Sequence, residues 1–304
     1  MMFTGLSCSA AAAIDIPLPG SATRVSGWLC VEQPGAWGRD VIGDEVLGPE
    51  LTPELAARTK AAQVRPTLIR RPGRSEFTGV RTILLVSSRP GESWCERLEI
   101  TELKQLLDLD LHLLTGPAPG LGAPVADSPI LVCTHGKRDQ CCALLGRPIA
   151  ARLATEYPDR VWECSHTGGH RFAPAMVLLP TGLTFGRLDE DAAVAVVAAA
   201  DRGELPLTGF RGRSGCSPVE QVAEIAVRER VPVLANDLAV SAVPDAEPTG
   251  DPATFAGAAL VAHRDGRRWL VTAHTVSYAP RQASCGAAPK SATAVVADGI
   301  RELR

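Results

Sequence analysis

Apolar and polar positions alternate along most of the chain with the periods of strands and helices, and their order sets out the expected elements. GWLCVEQ (27–33) reads as a buried strand followed by the turn PGAWGRD. Thr52 and Pro53 stand where an N-cap and a first helical residue belong, which predicts a helix to about Gln63. PTLIRR (66–71) and the β-branched TILLVSS (82–88) predict two strands, and Cys95 to Glu99 a third. A leucine-rich helix capped by Thr101 is expected from there to Leu114.

The Gly/Pro loop TGPAPGLGAP (115–124) divides this first stretch from a second with a similar order. PILVCTH (129–135) predicts a strand, Cys141 to about Glu156 a helix, and VWECSHT (161–167), AMVLLPTG (175–182) and TFGRL (184–188) three strands. Asp189 opens another helix whose acidic first turn suits the helix dipole. A βαβ start followed by a hairpin and a helix is the thioredoxin-like arrangement, and here it occurs twice in order, though not in residues. Further on, Ser217-Pro218-Val219-Glu220 combines a capping box with proline at the first helical position. Residues 255–277 alternate on both sides of Asp265-Gly266, which predicts a hairpin.

Composition narrows the class. The 304 residues are 45% apolar and 21% charged, enough for a sizeable core and too hydrophobic for disorder. With 31 basic and 34 acidic residues the net charge is -3, so nothing marks a nucleic-acid binder. Aromatics are only 4%, which leaves Ala, Val and Leu to fill the interior. The longest apolar run, Ala192 to Ala200, is flanked by charges and falls short of the roughly 20 residues a membrane span needs. MMFTGLSCSAAAA lacks the basic region of a secretory leader. Nine cysteines, spread widely except at 133–142, fit a cytoplasmic protein with reduced thiols better than a disulfide scaffold.

The chemistry concentrates in CTHGKRDQCC (133–142) and CSHTGGH (164–170). Cys133 ends a predicted strand, and Cys142 lies at the start of the next helix, where unpaired N–H groups favour a thiolate. Gly168 and Gly169 disfavour a helix between His166 and His170, so a glycine loop turning both imidazoles inward is expected.

These segments, with GRPIA, SHTGGHRFAP and the trailing VLLPTGLTFGRL, resemble the sucrase/ferredoxin-like family. LCVEQPGAWGRD, FRGRSGCSPVEQ and SCGAAPK are similar to family segments too. The resemblance implies an α/β fold of tandem thioredoxin-like (ferredoxin-type) halves with a C-terminal helix and β-hairpin extension. Residues 1–124 would form a half without cluster ligands, 125–205 the ferredoxin domain, and 206–304 the extension. It implies one [2Fe–2S] cluster held by Cys133, Cys142, His166 and His170. Two neutral imidazoles on one iron raise the potential: Rieske centres lie at about -150 to +300 mV, against roughly -400 mV for plant-type ferredoxins. A pH-dependent potential follows where the second ring nitrogen keeps its proton. The job implied is one-electron transfer or redox sensing, with a reductase or electron acceptor as redox partner protein and no nucleic acid or membrane.

The residues leave other readings open. Cys141 adjoins Cys142, and only the family spacing separates them; Cys164 and His135 are a spare ligand and a structural neighbour. A Cys₂His₂ set also suits tetrahedral zinc in an interaction module. Cys133 with His166 could serve a thiol-dependent enzyme, although no orienting group is identifiable. No carboxylate pair can be assigned to sucrase chemistry. Cys8, Cys30, Cys95, Cys216 and Cys285 read as small buried hydrophobes. Lys137, Arg138, Arg147 and Arg171 form a basic rim that suits an acidic partner.

Overall fold

The structure, a computed structural model, describes residues 3, 5–73, 77–244, 246–248, 250–251 and 253–304. In chain order the elements begin with α1 (Cys8–Ala13), β1 (Gly27–Glu32), α2 (Thr52–Ala61), β2 (Val64–Arg70), β3 (Arg81–Ser87), β4 (Trp94–Ile100) and β5 (Ala123–Pro124). There follow β6 (Ile130–Cys133), α3 (Gln140–Glu156), β7 (Val161–Cys164), β8 (Ala175–Leu178), β9 (Leu183–Gly186) and α4 (Glu190–Asp201). The last are β10 (Phe210–Arg213), α5 (Pro218–Arg228), β11 (Leu238–Val243), β12 (Phe255–His263), β13 (Arg268–Gln282) and β14 (Pro289–Leu303). The chain is thus mixed α/β. It divides into a central unit, Val25–Gly168 with Pro174–Gly182, and a terminal unit, Met1–Arg24, Gly169–Ala173 and Leu183–Arg304.

In the central unit the strands run in the order β8-β6-β7-β2-β1-β3-β4-β5. β1 pairs parallel to β2 and antiparallel to β3, which pairs antiparallel to β4. β6 repeats this, parallel to β7 and antiparallel to β8. The two sets meet where β2 runs antiparallel to β7, with Ile69 opposite Cys164 and Arg70 opposite Glu163. The Arg70–Glu163 ion pair, at 2.7 Å, fastens that seam. β1 is buried from Gly27 through Val31, as a strand covered on both faces must be. Leu29, Val31, Ile83 and Leu85 turn to one face, where Leu55 of α2 and Leu106, Leu111 and Leu114 cover them. Each such leucine contributes about 1.5–3 kcal/mol by leaving water.

Three expectations need correction in this unit. The residue capping α2 is Leu51, in helical conformation and without a side-chain cap. Thr52 is already helical and donates its hydroxyl to Gly48 O at 2.6 Å. The single helix expected from Thr101 to Leu114 is two 3₁₀ turns, Leu103–Asp108 and Leu111–Thr115. Glu102 caps the first through a capping box, and the Asp110 carboxylate takes the His112 N–H to start the second. An aspartate that bonds its own backbone offers the chain an alternative to a continuous helix. Within the Gly/Pro loop, Ala123–Pro124 pairs with β4, an edge position where proline is tolerated.

In the terminal unit β9 pairs antiparallel to β10, and β11-β12-β13-β14 form an antiparallel sheet. The capping box at Ser217 and Glu220 starts α5 as the sequence predicts. Its Ala223, Ala226 and Val227 pack on Ala259, Val261, Trp269 and Val271 of the sheet. The β12–β13 hairpin turns at Asp265-Gly266 as expected, with Gly266 at φ +99°. The expected hairpin is therefore half of a four-stranded sheet, because the small and polar residues of β14 give no clean alternation to read. Among the described residues no helix is long and apolar enough to cross a membrane.

Candidate metal centre

The centre is built where β6 ends. Ile130 to Cys133 are wholly buried, and Cys133 stands opposite Cys164 in the parallel β6–β7 pair. A turn follows in which Arg138 N and Asp139 N both donate to His135 O. Asp139 then caps α3, its carboxylate accepting from Cys141 N at 2.9 Å. This places Cys142 in the first turn of a 17-residue helix, inside its positive end. Residues Cys142, Gly146, Ile149 and Leu153 are spaced as one helical face and are all buried. A Cβ on Gly146 would overlap the Cys133 carbonyl oxygen, so only glycine lets α3 lie against the strand end.

From the other side, Ser165 locks the chain leaving β7 to β2. Its N–H donates to Leu68 O at 2.8 Å and its hydroxyl accepts from Leu68 N at 2.9 Å. His166 comes next and is clamped through its backbone. Its N–H donates to His135 Nδ1 at 3.1 Å, and its carbonyl accepts from the Arg65 guanidinium at 2.7 Å. Since Nδ1 of His135 accepts, Nε2 carries the proton and donates to Gly38 O at 2.9 Å. Trp37 meets the His135 ring edge-on at 5.9 Å, and Arg70 lies over Trp37 at 4.2 Å.

The result is a group in which one donor atom each of Cys133, Cys142 and His166 lies within 4.8 Å of the others. Cys133 and Cys142 are 0% and 1% exposed. The Cys133 thiol is held well below its usual range. A hydrogen bond from Cys142 does most of this, burial works against it, and the His166 imidazole and the His135 backbone N–H add to the lowering. Cys164, one strand over, behaves oppositely, since burial and the neighbouring Cys133 charge push its thiol far up. Two sulfurs and an imidazole are soft to borderline donors. They suit iron–sulfur or zinc and not calcium or magnesium, which take oxygen.

Of the four expected ligands, three are brought together and the fourth is placed apart in the division of the chain. His170 opens the 3₁₀ turn His170–Phe172, which belongs to the terminal unit. Gly168 and Gly169 between the histidines have φ of +102° and +70°, so the H-x₃-H segment is a glycine turn, as expected. Neither Cys141 nor Cys164 belongs to the three-residue group. The period of Gly146, Ile149 and Leu153 would have chosen Cys142 over Cys141 from sequence. Arg65, Trp37 and Gly38 were not singled out; for the last two the signal was QPGAWGRD, and for Arg65 there was none. Cys8 and Cys285, read as small buried hydrophobes, have sulfurs 3.6 Å apart in the terminal unit, and Cys285 is only half-buried. Cys95 and Cys216 are pushed up to about 12 by burial, as suits buried neutral thiols.

Among protein families, the sucrase/ferredoxin-like family matches this chain over residues 18–212. The match takes in LCVEQPGAWGRD, CTHGKRDQCC and SHTGGHRFAP, and leaves SCGAAPK, α5 and the β11–β14 sheet outside it. No curated protein and no solved structure matches the chain.

Proposed function

The chain belongs to the sucrase/ferredoxin-like family, and from that premise we propose that it is a [2Fe–2S] redox protein that passes single electrons or senses redox state. Cys133 and Cys142 hold the cluster through sulfur, and His166 and His170 through imidazole nitrogen. The observation that carries this reading is the meeting of the Cys133, Cys142 and His166 donor atoms within 4.8 Å. His170 enters on the H-x₃-H spacing alone. When bound, the cluster supplies a one-electron couple at a potential above that of all-cysteine ferredoxins.

What the chain itself does is clearer in its residues. Cys142, His166 and the His135 N–H keep Cys133 in the thiolate form a metal requires. His135 and Arg65 fix the backbone of His166, so its ring approaches from one direction. The two thioredoxin-like halves, 1–124 and 125–205, with 206–304 as an extension, remain our reading of the chain. The matching orders β2-β1-β3-β4 and β7-β6-β8 support it. The nine widely spread cysteines of the sequence are the ground for reading the chain as a cytoplasmic protein that meets its reductase or acceptor there.

Zinc is the second reading, because the same donors suit a tetrahedral structural site. A thiol enzyme is disfavoured by the full burial of Cys133, since an attacking sulfur needs access to its substrate. Purification without air, followed by absorption spectroscopy and iron, sulfide and zinc analysis, separates these readings. Visible bands with two irons and two sulfides per chain are expected. A colourless protein with one zinc would overturn the redox role. Given a cluster, His170→Cys is expected to retain it at a lower potential, and an unchanged potential removes His170 from the ligand set.

A further inference from the structure

Beside His166 the central unit has a cavity of about 250 Å³. Its wall includes Arg39, Asp40, Arg65, Arg138, His135 and His166. Three arginines therefore line it with one carboxylate, and that carboxylate is already engaged. Asp40 Oδ1 accepts from Ile42 N at 3.0 Å and Gly43 N at 2.8 Å, closing its own turn. Its Oδ2 stands 3.7 Å from Arg138, a loose pair in which both side chains are partly exposed. Asp44 is also taken up within the loop, by the N–H groups of Arg39 and Asp40. Arg65 is partly buried, gives one N–H to the His166 carbonyl at 2.7 Å and, among the described residues, forms no ion pair with a carboxylate.

We propose that this cavity binds a carboxylate-bearing anion between Arg39, Arg65 and Arg138, directly beside His166. A guanidinium offers paired N–H donors in a plane, and a carboxylate matches that fork with two oxygens. In a partly enclosed cavity the attraction is screened less than on an open surface. The backbone turns that consume Asp40 and Asp44 also fix Arg39 at the rim, so the positive wall is built by the fold. The anion site stands on the arginines alone; its influence on the bound metal rests on the proposed function. Such an anion reaches the cavity either as a free small molecule or as an acidic side chain of a protein partner.

Calorimetric titration of the metal-loaded protein with succinate, and separately with a hexaglutamate peptide, tests the assignment and tells the two sources apart. At least one is expected to bind with one-to-one stoichiometry. Succinate binding assigns a free anion; peptide binding without succinate binding assigns a partner-borne carboxylate. The Arg39→Gln/Arg138→Gln double variant is expected to weaken binding at least tenfold. Arg39→Gln alone repeats the test without touching the segment between Cys133 and Cys142 and is expected to weaken it several-fold. Absence of binding by wild type, or equal binding by both variants, overturns the proposal. A zinc-loaded or colourless preparation that still binds through these arginines would sink the iron reading and leave the anion site standing.

Discussion

The central unit contains the same strand pairing twice, and the two copies treat their cysteines in opposite ways. β1 lies parallel to β2 and antiparallel to β3, and β6 stands likewise to β7 and β8. Cys30 is fully buried in β1 and Cys133 is fully buried at the end of β6. Burial and the nearby Cys95 push the Cys30 thiol up, whereas the surroundings of Cys133 bring its thiol down despite the same burial. The difference lies in the connection that follows. After β6 only residues 134–139 precede α3, so its capped N-terminus and Cys142 return to the strand end. After β1, residues 33–51 intervene, and α2 begins without a side-chain cap. One scaffold gives a thiol pushed up or a thiol brought down according to whether a helix N-terminus and a second donor are delivered to it.

The strongest break of this comparison is to exchange serine for each cysteine in turn. Cys133→Ser is expected to abolish metal retention, while Cys30→Ser keeps the full complement. Iron and sulfide analysis of the two variants, purified side by side, reads the difference. Equal loss in both would mean that the metal does not depend on the β6 connection.

A smaller effect is expected at His135, which lies outside the three-donor group but holds the His166 N–H. His135→Ala is expected to weaken metal binding about 10- to 100-fold, or roughly 1.4–2.7 kcal/mol. His135→Gln, which can still accept from the His166 N–H, is expected to recover part of it. Competition with a chelator measures both. Equal effects of the two substitutions would show that His135 serves packing against Trp37 and not the placement of His166.

Gly146 tests whether the close approach of α3 matters. Alanine is a better helix former than glycine by about 1 kcal/mol. Overpacking against a rigid backbone atom costs about 1–3 kcal/mol, and here the obstacle is the Cys133 carbonyl. Gly146→Ala is therefore expected to destabilise the protein by up to about 2 kcal/mol in chemical denaturation. A stabilised variant would mean that the helix is free to move away from β6.

Much of this was legible in the sequence, and the limits have physical causes. Buried strands such as β1, β3 and β6 announce themselves by unbroken β-branched and apolar runs. The helix α5 announces itself by a cap that satisfies its own N–H groups. The leucines from Leu103 to Leu114 do not separate an α-helix from two 3₁₀ turns, because Asp110 decides the matter through a local hydrogen bond. At the site, Cys133, Cys142 and His166 stand out through residue type and spacing. Arg65 does not, since it meets His166 across 101 positions of chain and arginines line most surfaces. His135 was visible as a neighbour, yet its tautomer follows from the His166 N–H and the Gly38 carbonyl that the fold brings to its two ring nitrogens.

The gentlest probe of the two copies is pH. Cys95 sits on β4 in the β1–β4 copy, and burial pushes its thiol up to about 12. An unfolded cysteine has a pKa of about 8.5. Below that value both states hold the proton and folding is unaffected by the shift. As pH rises past it the unfolded chain releases a proton that the folded one retains, so stability falls until the folded thiol also ionises. The slope per such thiol approaches 1.4 kcal/mol per pH unit, roughly. Cys95→Ala removes one of these terms and is expected to flatten the decline in stability between about pH 9 and 10.5. Denaturation midpoints at several pH values across that range measure it. Cys133 is expected to behave with the reverse sign. Its lowered thiol stabilises the fold fully above the unfolded value and loses that contribution as pH falls through the folded one. An equal decline in wild type and Cys95→Ala would show that burial does not hold the β4 thiol neutral, and the contrast between the copies would then rest on the surroundings of Cys133 alone.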